Sequence, residues 1–190
     1  VADASVIPAA TDERLATAHR TLIRGGAFLA ESLQARAVGG RSGGDALSGP
    51  GGAKIVGNGL REMDRFLCLL LDEAARQVAP PDFDHADYSR RNNAAAKLRV
   101  FYALSGHTAS GEDQLRAIGR VRACLHHCRG IVHDPAVHAD LAAASSSVRP
   151  RNIEGSRLVI SFDDLAAICN FYIECAAVLM RVCRADPRIP

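Results

Sequence analysis

The stretch from 54 to 79 constrains the fold of this 190-residue chain more than any other. Val56, Leu60, Met63, Leu67, Leu70, Ala74 and Val78 recur at spacings of three and four, which puts them on one face of a long helix. Pro80 and Pro81 end it, since proline has no N–H to continue the hydrogen-bond ladder and clashes with the preceding turn. Helical periodicity of this kind dominates the rest of the chain as well. Thr11 or Asp12 can cap a first helix whose apolar face runs Leu15, Ala18, Leu22, Leu29 and Leu33, with Gly25 and Gly26 allowing a kink or a close approach.

Between these two helices lies GGRSGGDALSGPGG, residues 39–52, with seven glycines. Such a segment loses too much backbone entropy on ordering to build a regular element, and the sequence predicts a flexible loop. Ser89 is the expected cap of a third helix that turns Leu98, Phe101 and Tyr102 inward and stops at Gly106. Ser110 opens a fourth, with Leu115, Ile118, Val121, Leu125 and Cys128 on one face until Gly130. Residues 134–156 read as irregular and polar. RLVIS at 157–161 reads as a short strand pairing with GIVH at 130–133, and Ser161 with Asp164 as a capping box for a last helix over 162–184. The expectation is a single domain over 1–190, all-α: an up-and-down bundle of four to five helices with a short β excursion before the last helix.

Composition excludes more than it proposes. A formal net charge of +2 gives no global field for nucleic acid or membrane. The N-terminus lacks the basic start and apolar run of a secretory signal. The most apolar stretch, 165–183, carries Asn170, Glu174 and Arg181, which make it a poor membrane span. The six cysteines show no disulfide framework and read as free thiols. A cytoplasmic protein with no membrane partner is expected. Lys54 and Lys97 are the only lysines among 23 cations, a skew that reads as base composition of the source.

Chemistry concentrates in RVRACLHHCRGIVH at 120–133. From 115 to 133 there are four arginines and no carboxylate, a local charge of +4. In the plainest reading Arg116, Arg120, Arg122 and Arg129 solvate the outer face of a helix, and His126 and His127 favour its C-terminal dipole. A zinc reading would use Cys124, His127, Cys128, His133 and His138, but the paired spacing of structural zinc sites is missing, and no metal is assigned. A third reading joins an imidazole, able to move protons near neutral pH, to a guanidinium able to hold a phosphate bidentately. Those are the needs of metal-independent RNA cleavage through the ribose 2′-hydroxyl. Elsewhere, Asp82, Asp84 and Asp87 lack the pattern of a calcium loop, and Asp163 and Asp164 read as helix-start carboxylates.

RACLHHCRG at 122–130 resembles the R-N-x-L-x-H-G pattern of the HEPN superfamily (higher eukaryotes and prokaryotes nucleotide-binding), and the helical layout over about 54–184 is similar. The resemblance implies a helical, often homodimeric bundle whose site is an arginine and a histidine separated by four to six residues. Many members are endoribonucleases of toxin–antitoxin and phage-defence systems; others keep the fold and only bind. Carried over, Arg122 and His127 are the catalytic pair, with Arg120, Arg129 and His126 binding RNA phosphate and no cofactor. The implied partners are a second copy of the chain, RNA and an antitoxin-like protein. Ala123 and Cys128 depart from the usual Asn and Gly. On a regular helix His126, not His127, shares a face with Arg122, since residues advance about 100° each. The assignment of His127 therefore expects the second subunit to complete the pair, or the helix to unwind before Gly130.

Overall fold

The computed structural model describes residues 7–39, 49–146 and 157–185, with the side chains of 7–11, 32–39 and Gly49 excepted. The described residues form seven helices and no strand. These are α1 (Ile7–Gly39), α2 (Gly49–Val78), α3 (His85–Arg90), α4 (Ala94–Ser105), α5 (Glu112–His127), α6 (Ala136–Ala144) and α7 (Phe162–Ala185). The protein is all-α. Where a strand pair was expected there is a single antiparallel bridge between Ile131 and Arg157.

Helix α2 is the hub, in contact with α1, α3, α4, α5 and α7. Its stripe behaves as its spacing requires: Val56, Leu60, Met63, Leu67, Leu70, Ala74 and Val78 are all buried. The helix starts earlier than expected, at Gly49, so Gly49–Gly52 belong to its first turn and not to a loop. Gly39 closes α1, and residues 40–48 of the expected loop lie outside the described residues.

Other boundaries differ from the sequence reading too: α1 starts at Ile7, ahead of Thr11 and Asp12, and Gly111, not Ser110, is the N-cap of α5. Ser89 caps nothing, because it lies inside the short α3, which Asp84 caps by accepting the Asp87 N–H at 2.8 Å. The true cap of α4 is Asn93, whose side chain accepts the Ala96 N–H at 3.1 Å. Residues 136–144, read as irregular, form α6, opened by Pro135 with Asp134 accepting the Ala136 N–H at 2.9 Å. Gly106 ends α4 on left-handed backbone (φ 70°), and the Ser161–Asp164 box is reciprocal, at 3.1 and 3.0 Å.

Helix α7 is long and apolar enough to cross a membrane by length and composition. In the fold it lies against α1 and α2, burying Leu165, Ile168, Tyr172, Leu179 and Val182. All six cysteines are free, and burial pushes the thiols of Cys169 and Cys175 up to about 11 and about 12.

Two glycines allow a test of close packing. A Cβ on Gly57 of α2 would sit 2.9 Å from the backbone N of His126, so α5 rests on a gap that only glycine leaves. Gly119 of α5 has open space where its Cβ would go. Helix propensity favours alanine at both, by about 1 kcal/mol. Gly119→Ala should therefore stabilise by about 0.5–1 kcal/mol. At Gly57 a collision with backbone outweighs that gain, and Gly57→Ala should destabilise by about 1–3 kcal/mol. Urea unfolding of the two variants checks both signs.

Candidate functional site

The candidate residues lie on α5, and the helix sorts them onto two faces. Helix α5 stays regular through His127, so it does not unwind to bring His127 beside Arg122. Arg122 and His126, four residues apart, go together toward α2, as the 100° advance requires. Arg120 and His127, seven apart, go together toward α6, where they line a shared groove. Within one chain, the structure does not bring Arg122 and His127 together.

Arg122 is consumed inside the fold. Its guanidinium is bonded to the Asp64 carboxylate of α2, and Asp64 accepts a second bond, at 2.5 Å, from the buried Tyr172 hydroxyl of α7. Arg122 is only 31% exposed. Burial raises the Asp64 carboxyl above its ordinary range, against the lowering effects of Tyr172 and Arg122. Burial likewise holds the Tyr172 hydroxyl well above its usual value, with the neighbouring Asp64 charge adding to it. Here is a charge-assisted clasp across three helices, and it ties one guanidinium nitrogen of Arg122 to the fold.

His126 follows Arg122. Its backbone rests against Gly57, its Nδ1 is buried without a hydrogen-bond partner, and its ring meets that of His127 edge to face at 4.6 Å. Desolvation, then the nearby His127, Arg61, Lys54 and Arg122, lower its pKa, so it favours the neutral form. It packs against α2 with one ring nitrogen buried.

The other face is open. The groove between α5 and α6 encloses about 540 Å³. Its floor is apolar, with Ala123, Cys124, Ile131 and Val137, and its rim carries Arg120, His127, His133 and Asp140. Arg120 forks onto Asp140, Nε to Oδ2 at 2.8 Å and Nη2 to Oδ1 at 2.6 Å, while remaining 57% exposed. Arg129 is exposed, on left-handed backbone (φ 52°) just past the end of α5.

The local charge of +4 is therefore not a bare cationic surface. Arg116 meets Glu112 and Asp113, Arg120 meets Asp140, and Arg122 meets Asp64. The carboxylates come from the first turn of α5 and from other helices, beyond the window in which the sequence shows no acid. Among the described residues no three His, Cys, Asp or Glu side chains converge as a metal site would need. Sequence reasoning missed Asp64, Tyr172 and Asp140. A carboxylate inside the apolar run of α2 signalled the first; the Asp134-Pro135 helix start signalled the element that carries the third.

A stability contrast separates the two arginines. Arg120→Ala removes an exposed pair and should cost under about 1 kcal/mol. Arg122→Ala leaves Asp64 buried without its cation and should cost about 1–3 kcal/mol at neutral pH, discounted from the full buried case because Arg122 is partly exposed. The folded pKa of Asp64 lies above its ordinary 3.8, so its contribution is greatest below that value and is lost as pH rises through the folded pKa. Removing Arg122 lifts that pKa further. The gap between wild type and Arg122→Ala in urea should widen as pH rises from the Asp range toward neutrality, and a constant gap would exclude Asp64 as the coupled group. Compared with known proteins, the chain matches no family model, no curated protein and no solved structure.

Proposed function

We propose that this chain is a HEPN-like domain acting on RNA as a metal-independent endoribonuclease of toxin or phage-defence type, with the α5–α6 groove as its site. The observation that carries this reading is the pairing of Arg120 with His127. Six residues separate them, within the family's range of four to six, and both line one groove. The pair first expected, Arg122 and His127, is split between two faces. In this reading Arg120 holds the phosphate and stabilises the charge that develops on it, and His127 transfers a proton. Arg129 adds a phosphate contact at the groove's end, while Arg122 and His126 maintain the fold.

The finer architecture belongs to the same reading: an up-and-down arrangement of α1, α2, α4, α5 and α7, with 157–161 as a remnant β excursion. So do a cytoplasmic location and an antitoxin-like partner that would cover the groove. The homodimer that the resemblance implies belongs to this reading too, although Arg120 and His127 of the groove come from one chain.

A second reading, a non-catalytic binding module, is favoured by one specific observation. Asp140 already fills the Arg120 fork, and the floor of the groove is apolar. The two readings part in one experiment. Purified protein is incubated with a ribo-oligonucleotide in chelator, and the same variants are expressed in a bacterial host. Cleavage and growth arrest are expected for wild type, falling about 100-fold or more in His127→Ala, the usual scale for a lost proton-transfer group. Arg120→Ala should lose activity with little loss of stability, and His126→Ala should keep most of its activity. Binding without cleavage would select the binding module.

A further inference from the structure

The groove carries a second imidazole, and its position follows from how α5 ends. The Cys124 carbonyl accepts the N–H groups of Cys128 and Gly130, at 3.0 and 3.1 Å, and the Ile131 N–H returns to the Cys128 carbonyl at 2.9 Å. Arg129 and Gly130 have φ of 52° and 77°, the left-handed backbone that reverses a chain at a helix end. The reversed segment is then held from outside. Leu158 N–H donates to the Gly130 carbonyl at 2.8 Å, and Ile131 bridges to Arg157. Three residues past Gly130, the exposed His133 lines the same groove as His127 and Arg120.

We propose that His133 is a second catalytic residue, the proton-transfer partner of His127 in RNA cleavage. This rests on the groove being the ribonuclease site. In-line attack puts the entering and leaving oxygens on opposite sides of phosphorus, so two separate groups serve them best. One neutral ring takes the proton of the ribose 2′-hydroxyl as the O2′ electron pair forms a bond to phosphorus. The phosphorus–O5′ bond breaks, its electron pair stays on O5′, and that oxygen takes a proton from the other ring, present as imidazolium. The products are a 2′,3′-cyclic phosphate and a 5′-hydroxyl. The two rings have exchanged protonation states, which exchange with water restores.

The charged and titratable groups around the two rings are His126, whose ring meets His127 at 4.6 Å, Arg120 and Cys124 of α5, Cys128 just past its end, Asp134 just before α6 and Asp140 within it. Burial raises the Cys124 thiol, which keeps it neutral, and Asp134 is engaged with the Ala136 N–H. Asp140 is engaged with Arg120. That leaves the two imidazoles as the groove's proton-transfer groups.

The test uses the full chain, a short ribo-oligonucleotide and cleavage rates from acid to mildly alkaline pH. Wild type should give a bell-shaped profile. His127→Ala and His133→Ala should each lose about 100-fold or more, each removing a different limb of the bell. A parallel proton NMR titration with uridine 3′-monophosphate, a probe with no bond to cleave, should move the ring signals of His127 and His133 more than those of His126, whose ring touches His127. If wild type cleaves and His133→Ala keeps its rate and both limbs, His133 is overturned while the groove reading stands. If wild type does not cleave and the probe moves neither ring, the groove reading falls and His133 with it.

Discussion

Helix α2 is enclosed by five other helices, so a charge on its inner surface must be met by a partner from another element. Asp64 and Asp72, eight residues apart, are two such charges. Asp64 draws Arg122 from α5 and Tyr172 from α7. Asp72 draws Lys97 from α4, at 2.7 and 2.9 Å, and Lys97 also reaches the Ser89 carbonyl of α3 at 3.4 Å. Lys97 is 1% exposed. Its ammonium lies 5.3 Å from the centre of the Tyr88 ring, while the Tyr88 hydroxyl donates to the Lys97 carbonyl. Cys68 lies midway on the helix, its thiol pushed up to about 11, chiefly by burial. Apolar packing accepts many rotations of one helix against another at similar energy; a buried carboxylate accepts only those that deliver its donors. The two acids thus set the rotation and axial position of α4, α5 and α7 about α2.

That constraint decides what α5 can offer. Once Arg122 is turned to Asp64, His126 is turned with it, and the gap at Gly57 receives its backbone. The apolar face of Ile118, Val121 and Leu125 goes inward too. The row Arg120, Ala123, Cys124, His127 is what remains to face α6. Two adjacent histidines therefore have opposite characters. His126 is wedged against α2 among cations that disfavour its charge, while His127 is exposed at a groove.

Much of this was legible before any coordinates. The α2 stripe, the stop at Gly106, the Ser161 capping box and the inward face of α7 are all written in local spacing, where a helix's own period decides. The helix arithmetic that placed His126 beside Arg122 also held. What was not legible depended on contacts between segments far apart in the chain. The window from 115 to 133 shows no acid, yet three of its arginines meet carboxylates, two of them from other helices. Lys97 stands out in the sequence only as one of two lysines, whereas in the fold it is a buried counter-charge. Helix α6 was missed because its alanines give no apolar stripe to detect, although Asp134-Pro135 marked its start. The arginine of the motif was ambiguous for a simple reason: spacings of four to six residues span most of a helical turn, so spacing alone does not fix a face.

Asp140 bears most directly on whether the groove can take a phosphate. An arginine fork engages a carboxylate and a phosphate with the same two parallel bonds, so Asp140 occupies the place a phosphate oxygen pair would take. The exposed guanidinium, 57% accessible, gains little from the pair, but the exchange would strip its counter-charge from an Asp140 side chain only 12% exposed. Any phosphate binding in the groove would therefore turn on the Arg120–Asp140 pair: a ligand that opens it must also meet the Asp140 carboxylate it leaves behind.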